Sequence, residues 1–446
     1  MITKEELLAR ARKPAREAIR LHPFYRGKVQ IAARCAVRTL DDFAIWYTPG
    51  VAEPCKAIQK ERELVYDYTW KWNLVAVISD GTRVLGLGDI GPEAGMPVME
   101  GKALLFKYLG GVDAVPICLD TRDPDELIKT VKYLQPSFGG INLEDIEQPK
   151  CFYILRRLRE EMEIPVWHDD QQGTAAVTVA GLINAVKLVG KELEGVKVAL
   201  IGAGAANIRT AHLMILAGVR PENIIMVDSK GILNRDRREE LEKAYPEKWE
   251  LAQITNAENR RGGIAEAMRG ADAVVALSAP GPDTIKKEWI GGMANDPIIF
   301  ACANPIPEIW PWEAREAGAR VIATGRSDFP NQINNSLGFP AIFRGALDVR
   351  ARTITDEMCV AAARELARYA EDKGLHEEHL MPTMSEWEVF PRVAAAVGTR
   401  AVEQGVARQT LSWQELYDRA AFMIRQARDI TQSLMDNGLI PPAPDN

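Results

Sequence analysis

Histidine and cysteine are scarce, with 5 and 6 residues in a chain of 446. The cysteines, at positions 35, 55, 118, 151, 302 and 359, form no CxxC pair. That spacing argues against a zinc site and a disulfide framework, and reduced thiols in a cytoplasmic setting are the expectation. Long apolar runs are missing too. The most continuous one near the middle, Ala175 to Val186, is interrupted by Thr178, Gly181 and Asn184 and falls far short of the ~20 residues that cross a bilayer. The opening residues, MITKEELLARARKPAREAIRL, lack the apolar core of a secretory signal and carry Glu5, Glu6 and Glu17, unlike an acid-poor transit peptide; they read as an amphipathic helix. No basic block is dense enough to neutralise a line of phosphates, and the net charge is −7. Nucleic acid is therefore not expected as a partner, and small molecules are.

What is present is ordinary globular material. Apolar residues make up 47% and charged residues 26%, and the length suits two or three domains with sizeable cores. Residues 1 to about 70 read as helices. LVAVI at 74–78 is a β-branched strand, and VLGLG at 84–88 reads as its hairpin partner across the turn SDGT. Glycines and prolines from Gly88 to Pro97 predict a loop. GKALLFKYLGGV then reads as a helix closed by Gly110-Gly111, followed by a strand at 114–118, helices at 124–134 and 149–162, a strand at 165–167, a helix at 173–189 and a strand at 196–201. Beyond 195 short strands recur whose carboxyl ends open into Gly, Ser, Asn, Asp or Pro. The fold class is α/β, with mainly parallel sheets covered by helices. Residues 412–446 read as a terminal helix with a Pro-rich tail.

The clearest local signal is VALIGAGAANIR. Gly202-x-Gly204 follows a strand and opens a helix, and Asp228 ends the next strand. The first glycine permits a tight turn, the second lets backbone approach a pyrophosphate, and the helix amino end, Ala205-Ala206-Asn207, offers N–H donors. Asn207 stands where a third small residue is usual. Asp228 could accept from an adenine-ribose hydroxyl, which favours NAD; Lys230 and Arg235 follow closely enough to compensate its charge, so NADP stays open.

The first half holds the reactive residue types: Tyr47, Arg83, Lys102, Glu144-Asp145 and Asp169-Asp170. Taken singly, Lys102 reads as a solvated lysine and each acid pair as the start of a helix. Together they lie at strand ends or helix starts, where distant residues can gather around one cleft. Carboxylates without a Cys or His cluster suit a hard ion, Mg²⁺ or Mn²⁺. Adjacent side chains diverge, so Glu144 and Asp145 can share such an ion only if the backbone turns there. His168 stands alone and reads as structural.

YTPGVAEPC, GTRVLGLGDIG, GMPVMEGKALLFK, FGGINLEDI, HDDQQGTA, LIGAGAAN, CANPIPEI and ATGRSDFPNQINN occur in this order between about residues 20 and 400. In these blocks the chain resembles the malic enzymes, specifically the shorter bacterial and archaeal type. The resemblance implies an N-terminal substrate and metal domain (1–165), a Rossmann-type NAD(P)-binding domain (166–405) and a C-terminal helical tail (406–446). The implied activity is oxidative decarboxylation of L-malate to pyruvate and CO₂ with NAD or NADP and Mg²⁺ or Mn²⁺, in a homodimer or higher oligomer. By the same resemblance Lys102 is the general base, Tyr47 the general acid, Glu144, Asp145 and Asp170 the metal ligands, and Asp169 the acid near Lys102. Arg83, Asn304, Asn334 and Asn335 would complete the substrate pocket, with Thr174, Ser278 and Asn304 on the cofactor side. Two rivals remain open: a malolactic enzyme that releases lactate without net NADH, and a silent dinucleotide-binding sensor, which would be expected to lose Lys102, Tyr47 or a metal carboxylate.

Overall fold

The structure, a computed structural model, describes residues 4–444. Among them the strands are β1 (Leu74–Ser79), β2 (Asp113–Cys118), β3 (Gly140–Leu143), β4 (Val166–His168), β5 (Val198–Ile201), β6 (Ile224–Asp228), β7 (Gly231–Ile232), β8 (Ala273–Ala276), β9 (Ile298–Ala301) and β10 (Val321–Thr324). Strands β1 to β4 form one parallel sheet in the order β2-β1-β3-β4. The others form a second sheet, β10-β9-β8-β5-β6-β7, parallel except for β7. Every residue of β1 is buried, the pattern of a central strand covered on both faces.

The helices that place the site are α1 (Lys4–Tyr25), α2 (Asp42–Trp46), α3 (Ala52–Lys60), α4 (Pro92–Gly110), α5 (Thr174–Leu188), α6 (Ala205–Ala217), α7 (Phe339–Asp348) and α8 (Trp413–Asp436). Helix α5 is the apolar run noted above. It is buried on nearly every side, and its Gly181 lies so close to Phe300 of β9 that a Cβ would meet that ring at 3.1 Å. One large core joins both sheets with α4, α5, α7 and α8, and a smaller one covers the other face of the second sheet. No described helix is long and apolar enough to cross a membrane.

Several expectations change. VLGLG is no hairpin strand: Val84 N–H donates to the Gly88 carbonyl (2.9 Å) and Leu87 N–H to that of Val84 (2.9 Å), closing a tight turn. The loop expected up to Pro97 ends early, because Pro92 starts α4 from its first turn, where the missing N–H is harmless. β3 was not foreseen; four residues carry no readable period, and pairing with β1 and β4 on its two sides makes them a strand. The boundary after residue 165 falls inside the first sheet, ahead of β4. The stretch expected as a tail packs into the main core: α8 buries Leu416, Ala420 and Ile424, and its Met423 carbonyl lies 2.7 Å from where a Cβ on Gly111 would stand.

Candidate active site

The carboxyl ends of β1, β3 and β4 lie side by side, and each runs directly into acidic residues. β3 continues into Glu144 and Asp145, and β4 into Asp169 and Asp170. Asp145 adopts φ +54°, so the backbone does turn between the two neighbours. As a result Glu144, Asp145 and Asp170 each bring a carboxylate oxygen within 4.8 Å of the others. Lys102 comes from α4. Its ammonium donates to Asp169 and sits 3.2 Å from Glu144 Oε1, over the Phe339 ring at 4.6 Å from its centre.

Asp169–Gly173 forms a single π-helical turn. The turn sends the adjacent acids apart: Asp169 toward Lys102 and the Trp167 indole, whose N–H donates to it at 3.2 Å, and Asp170 toward the Asp145 backbone N–H, which donates at 2.8 Å. Gly173 is required here, since a Cβ would stand 1.9 Å from Asp169 Oδ1. Asn335 packs against the same glycine, its Cβ 3.3 Å from that position. Asn334 instead caps its own turn, accepting from Ser336 N–H at 2.9 Å.

The electrostatics follow from crowding. Burial pushes the Asp145 carboxyl up to about 8, with the Asp170 carboxylate adding to the effect. Glu144 is raised well above the ordinary carboxylate range by burial, although Lys102 opposes it. Burial alone would lower the Lys102 ammonium, but the carboxylates of Asp169 and Glu144 outweigh it and hold the charged form. One oxygen of Asp145, Oδ2, is buried with no hydrogen-bond partner among the described residues. Acids pushed upward together around an orphaned oxygen make a set that a hard divalent cation would satisfy. His168, fully buried, is lowered to about 4 by burial.

Arg83 starts beside this cluster, its N–H donating to the Asp145 carbonyl at 3.0 Å, while its side chain is exposed. The same loop meets the second sheet, where a Cβ on Gly86 would lie 3.0 Å from the carbonyl oxygen of the exposed Asn304. Tyr47 is different. It follows α2, its side chain is 71% exposed, and it makes no side-chain hydrogen bond among the described residues.

In the second sheet strand order reverses between β5 and β8, and the crevice there is flanked by the turn after each. Gly202 has φ +94°, and a Cβ would meet the Leu277 carbonyl at 2.6 Å; at Gly204 a Cβ would meet nothing within 4 Å, which leaves room for a ligand against the backbone. Ala205 and Ala206 open α6 half-buried. Asn207 does not reach the crevice with its side chain: it is fully buried and donates to the Ile201 and Gly202 carbonyls at 3.0 and 2.8 Å, bracing the turn from beneath. Ser278 donates its N–H (2.8 Å) and hydroxyl (3.2 Å) to Glu308, which also accepts from Ala303 N–H (3.0 Å) and so ties the ends of β8 and β9 together. Thr174 is the first residue of α5, half-buried beside the π turn.

Asp228 is saturated. Arg237 binds it through both nitrogens at 2.9 Å, Lys230 N–H donates at 2.9 Å and the Lys248 ammonium at 3.3 Å. The compensating cations are therefore Arg237 and Lys248. Arg235 bonds the Ala257 carbonyl and Asn259, and the Lys230 ammonium pairs with Glu240. Sequence reading missed Arg237, Lys248, Glu308 and Phe339, since a charge or ring with no motif around it becomes informative only through its neighbours.

A glycine turn at the reversal point of a mainly parallel sheet, in a chain that also sets a lysine among four carboxylates, defines a dinucleotide-dependent α/β oxidoreductase. The family model for the malic enzyme NAD-binding domain matches residues 171–402, and that for the malic enzyme N-terminal domain matches 26–125 and 121–159. A bifunctional malic/malolactic enzyme of Bacillus subtilis is 50% identical over 403 residues, covering 90% of this chain and 97% of that protein. An NAD-dependent malic enzyme of Geobacillus stearothermophilus is 53% identical over 384 residues, covering 86% and 78%. The crystal structure of the Entamoeba histolytica malic enzyme superposes with a TM-score of 0.95 at 48% identity, over 99% of this chain and 93% of that one. The chain belongs to the malic enzyme family.

Proposed function

We propose that this protein catalyses oxidative decarboxylation of L-malate to pyruvate and CO₂ with reduction of NAD or NADP. The observation that carries the reading is the contact of Lys102 with Asp169 and Glu144 beside a carboxylate trio. Glu144, Asp145 and Asp170 would hold Mg²⁺ or Mn²⁺, and the partnerless Oδ2 of Asp145 supports the fit. When bound, such an ion acidifies a hydroxyl and polarises a carbonyl.

Lys102 would take the proton of the malate C2 hydroxyl, and a nicotinamide, when bound, would supply the hydride acceptor for C2. Lys102 can do so only as a neutral amine, and a cation held by Glu144, Asp145 and Asp170 would favour that form by offsetting the carboxylates that keep the ammonium charged. Asp169, fixed by Trp167 on one oxygen, aims the amine with the other. Arg83 holds a malate carboxylate, Asn304, Asn334 and Asn335 border the nicotinamide and substrate, and Thr174 and Ser278 line the cofactor side. After CO₂ leaves, Tyr47 gives a proton to C3 of enolpyruvate.

For the dinucleotide we infer that NAD is preferred and NADP accepted. Asp228 keeps an ionised carboxylate at the ribose end of β6, while Arg237 and Lys248 reduce its repulsion of a 2′-phosphate. Six cysteines free of disulfides suit a cytoplasmic setting.

A product assay with malate, Mn²⁺ and each dinucleotide tests the reading. Pyruvate with stoichiometric NADH is expected. The name of the Bacillus relative makes a malolactic outcome the rival, and lactate without net NADH would overturn the proposal in its favour.

A further inference from the structure

Glu308 is fully buried, and among the described residues its carboxylate is held by neutral donors: the Ser278 N–H at 2.8 Å and hydroxyl at 3.2 Å on Oε1, and the Ala303 N–H at 3.0 Å on Oε2. Burial raises the carboxyl, and the donors of Ala303 and Ser278 oppose that rise without cancelling it. A buried acid held in this way weakens a fold unless it is well paired, so stability is a poor reason for one here. What it supplies is geometry. Both oxygens of a carboxylate accept and neither donates, so N–H groups from two different loops converge on it. The Glu308 backbone carbonyl accepts from the Ile285 N–H at 3.0 Å, so this one residue holds both ends of the loop 278–285 that follows β8.

The loops tied by Glu308, those after β8 and β9, touch both halves of the proposed site. A Cβ on Gly202 would stand 3.1 Å from Ser278 Cα, so the loop after β8 lies on the dinucleotide turn. A Cβ on Gly86 would meet the Asn304 carbonyl oxygen at 3.0 Å and Pro280 Cγ at 3.9 Å, so both loops lie against the Arg83 loop. The loop after β10 confines Asn304 as well: a Cβ on Gly325 would stand 2.7 Å from its Nδ2, and Arg326 donates to the neighbouring Pro305 carbonyl at 2.6 Å. With no exposed surface, Glu308 touches no ligand itself. Whatever it does for the reaction, it does through these loops.

We propose that Glu308 is a positioning residue for hydride transfer: by clamping the loops after β8 and β9 to each other, it sets the separation of the nicotinamide from C2 of malate. The proposal rests on the reaction given above. A displacement of about 1 Å between reacting groups can slow a step by roughly 100-fold. Glu308→Gln forces a displacement, because the amide keeps one accepting oxygen and turns its NH₂ toward the N–H of either Ser278 or Ala303.

Single-turnover mixing of the enzyme with malate, Mn²⁺ and saturating NAD tests it, followed by the absorbance of reduced nicotinamide. The rate constant of the step that deuterium at C2 of malate slows reports hydride transfer, and the amplitude reports the fraction of intact sites. In Glu308→Gln the rate constant is expected to fall by about 10–100-fold at wild-type amplitude. A lowered amplitude at the wild-type rate constant would make Glu308 a residue of stability alone and overturn the proposal. Weakened NAD binding with the saturated rate constant intact would overturn it too, as would a variant indistinguishable from wild type. Ser278→Ala removes the hydroxyl that Glu308 accepts, spares both backbone bonds, and is expected to slow the same step about two- to tenfold. Should Glu308→Gln fail to fold, an unchanged rate constant in Ser278→Ala overturns the proposal. Wild-type enzyme that transfers no hydride from malate overturns instead the reaction itself, and this proposal with it.

Discussion

Two charged clusters, one around Asp228 and one around Lys102, handle charge in opposite ways. Asp228 is held by a bidentate guanidinium, an ammonium and a backbone N–H, so its charge is matched within the fold. Around Lys102, Glu144, Asp145, Asp169 and Asp170 crowd together; burial lifts Glu144 and Asp145, and one oxygen of Asp145 finds no partner among the described residues. The first is a closed network of ion pairs and hydrogen bonds. The second is unfinished, and a buried polar group without a partner is unfavourable until something binds it. In the reaction proposed above, a cation bound there would offset this charge and so also change the proton affinity of Lys102.

The contrast can be broken most severely at Lys102. Lys102→Ala should lower kcat by roughly 10²–10⁴-fold, the range for a lost general base, and leave dinucleotide affinity unchanged by fluorescence titration. Equal turnover would show that the lysine is only a counter-ion. Asp170→Ala should weaken Mn²⁺ by at least about tenfold in an activity titration. An unaltered titration would remove Asp170 from the ion site. At Asp228 the effect should be smaller: Arg237→Ala frees the Asp228 carboxylate, so the NAD over NADP ratio of kcat/KM should rise by about three- to tenfold if Asp228 meets the ribose as proposed, and a fall would mean that Arg237 serves NAD.

The smallest effect is on stability against pH. Asp145 is protonated in the fold up to about 8 but only to about 3.8 when unfolded. Its contribution is therefore fully present below pH 3.8 and lost as pH rises toward 8, since the unfolded chain binds fewer protons there. In chelator the melting temperature should fall by several degrees between pH 5 and 8, and saturating Mn²⁺ should flatten that slope. A slope indifferent to Mn²⁺ would leave the trio without a cation.

Much of the site could be read along the chain because it stands at strand ends. The turn after β5 announces itself through Gly202 and Gly204, and the alternation of strands and helices carries the α/β class. Glu144 and Asp145 were visible as an acid pair, but the left-handed residue that lets them converge was not. Asp169 and Asp170 were visible as neighbours, but the π turn that separates them was not. Asn207 fits the glycine pattern by position and proves to be a buried brace. The division after residue 165 looked natural in sequence and cuts off β4, because which sheet a three-residue strand joins depends on what lies beside it.

Local chemistry is a property of neighbours in sequence: where the chain turns, which residue types can carry a proton or a cation, and how apolar residues alternate. These the sequence determined, down to the glycines of the dinucleotide turn and the identity of the lysine and acids. Tertiary structure alone decided which acid faces Lys102, which cation neutralises Asp228, and that Tyr47, after α2, lies outside the core. Each of those is a contact between residues far apart in the chain, and its energy depends on burial and distance, which no linear pattern encodes.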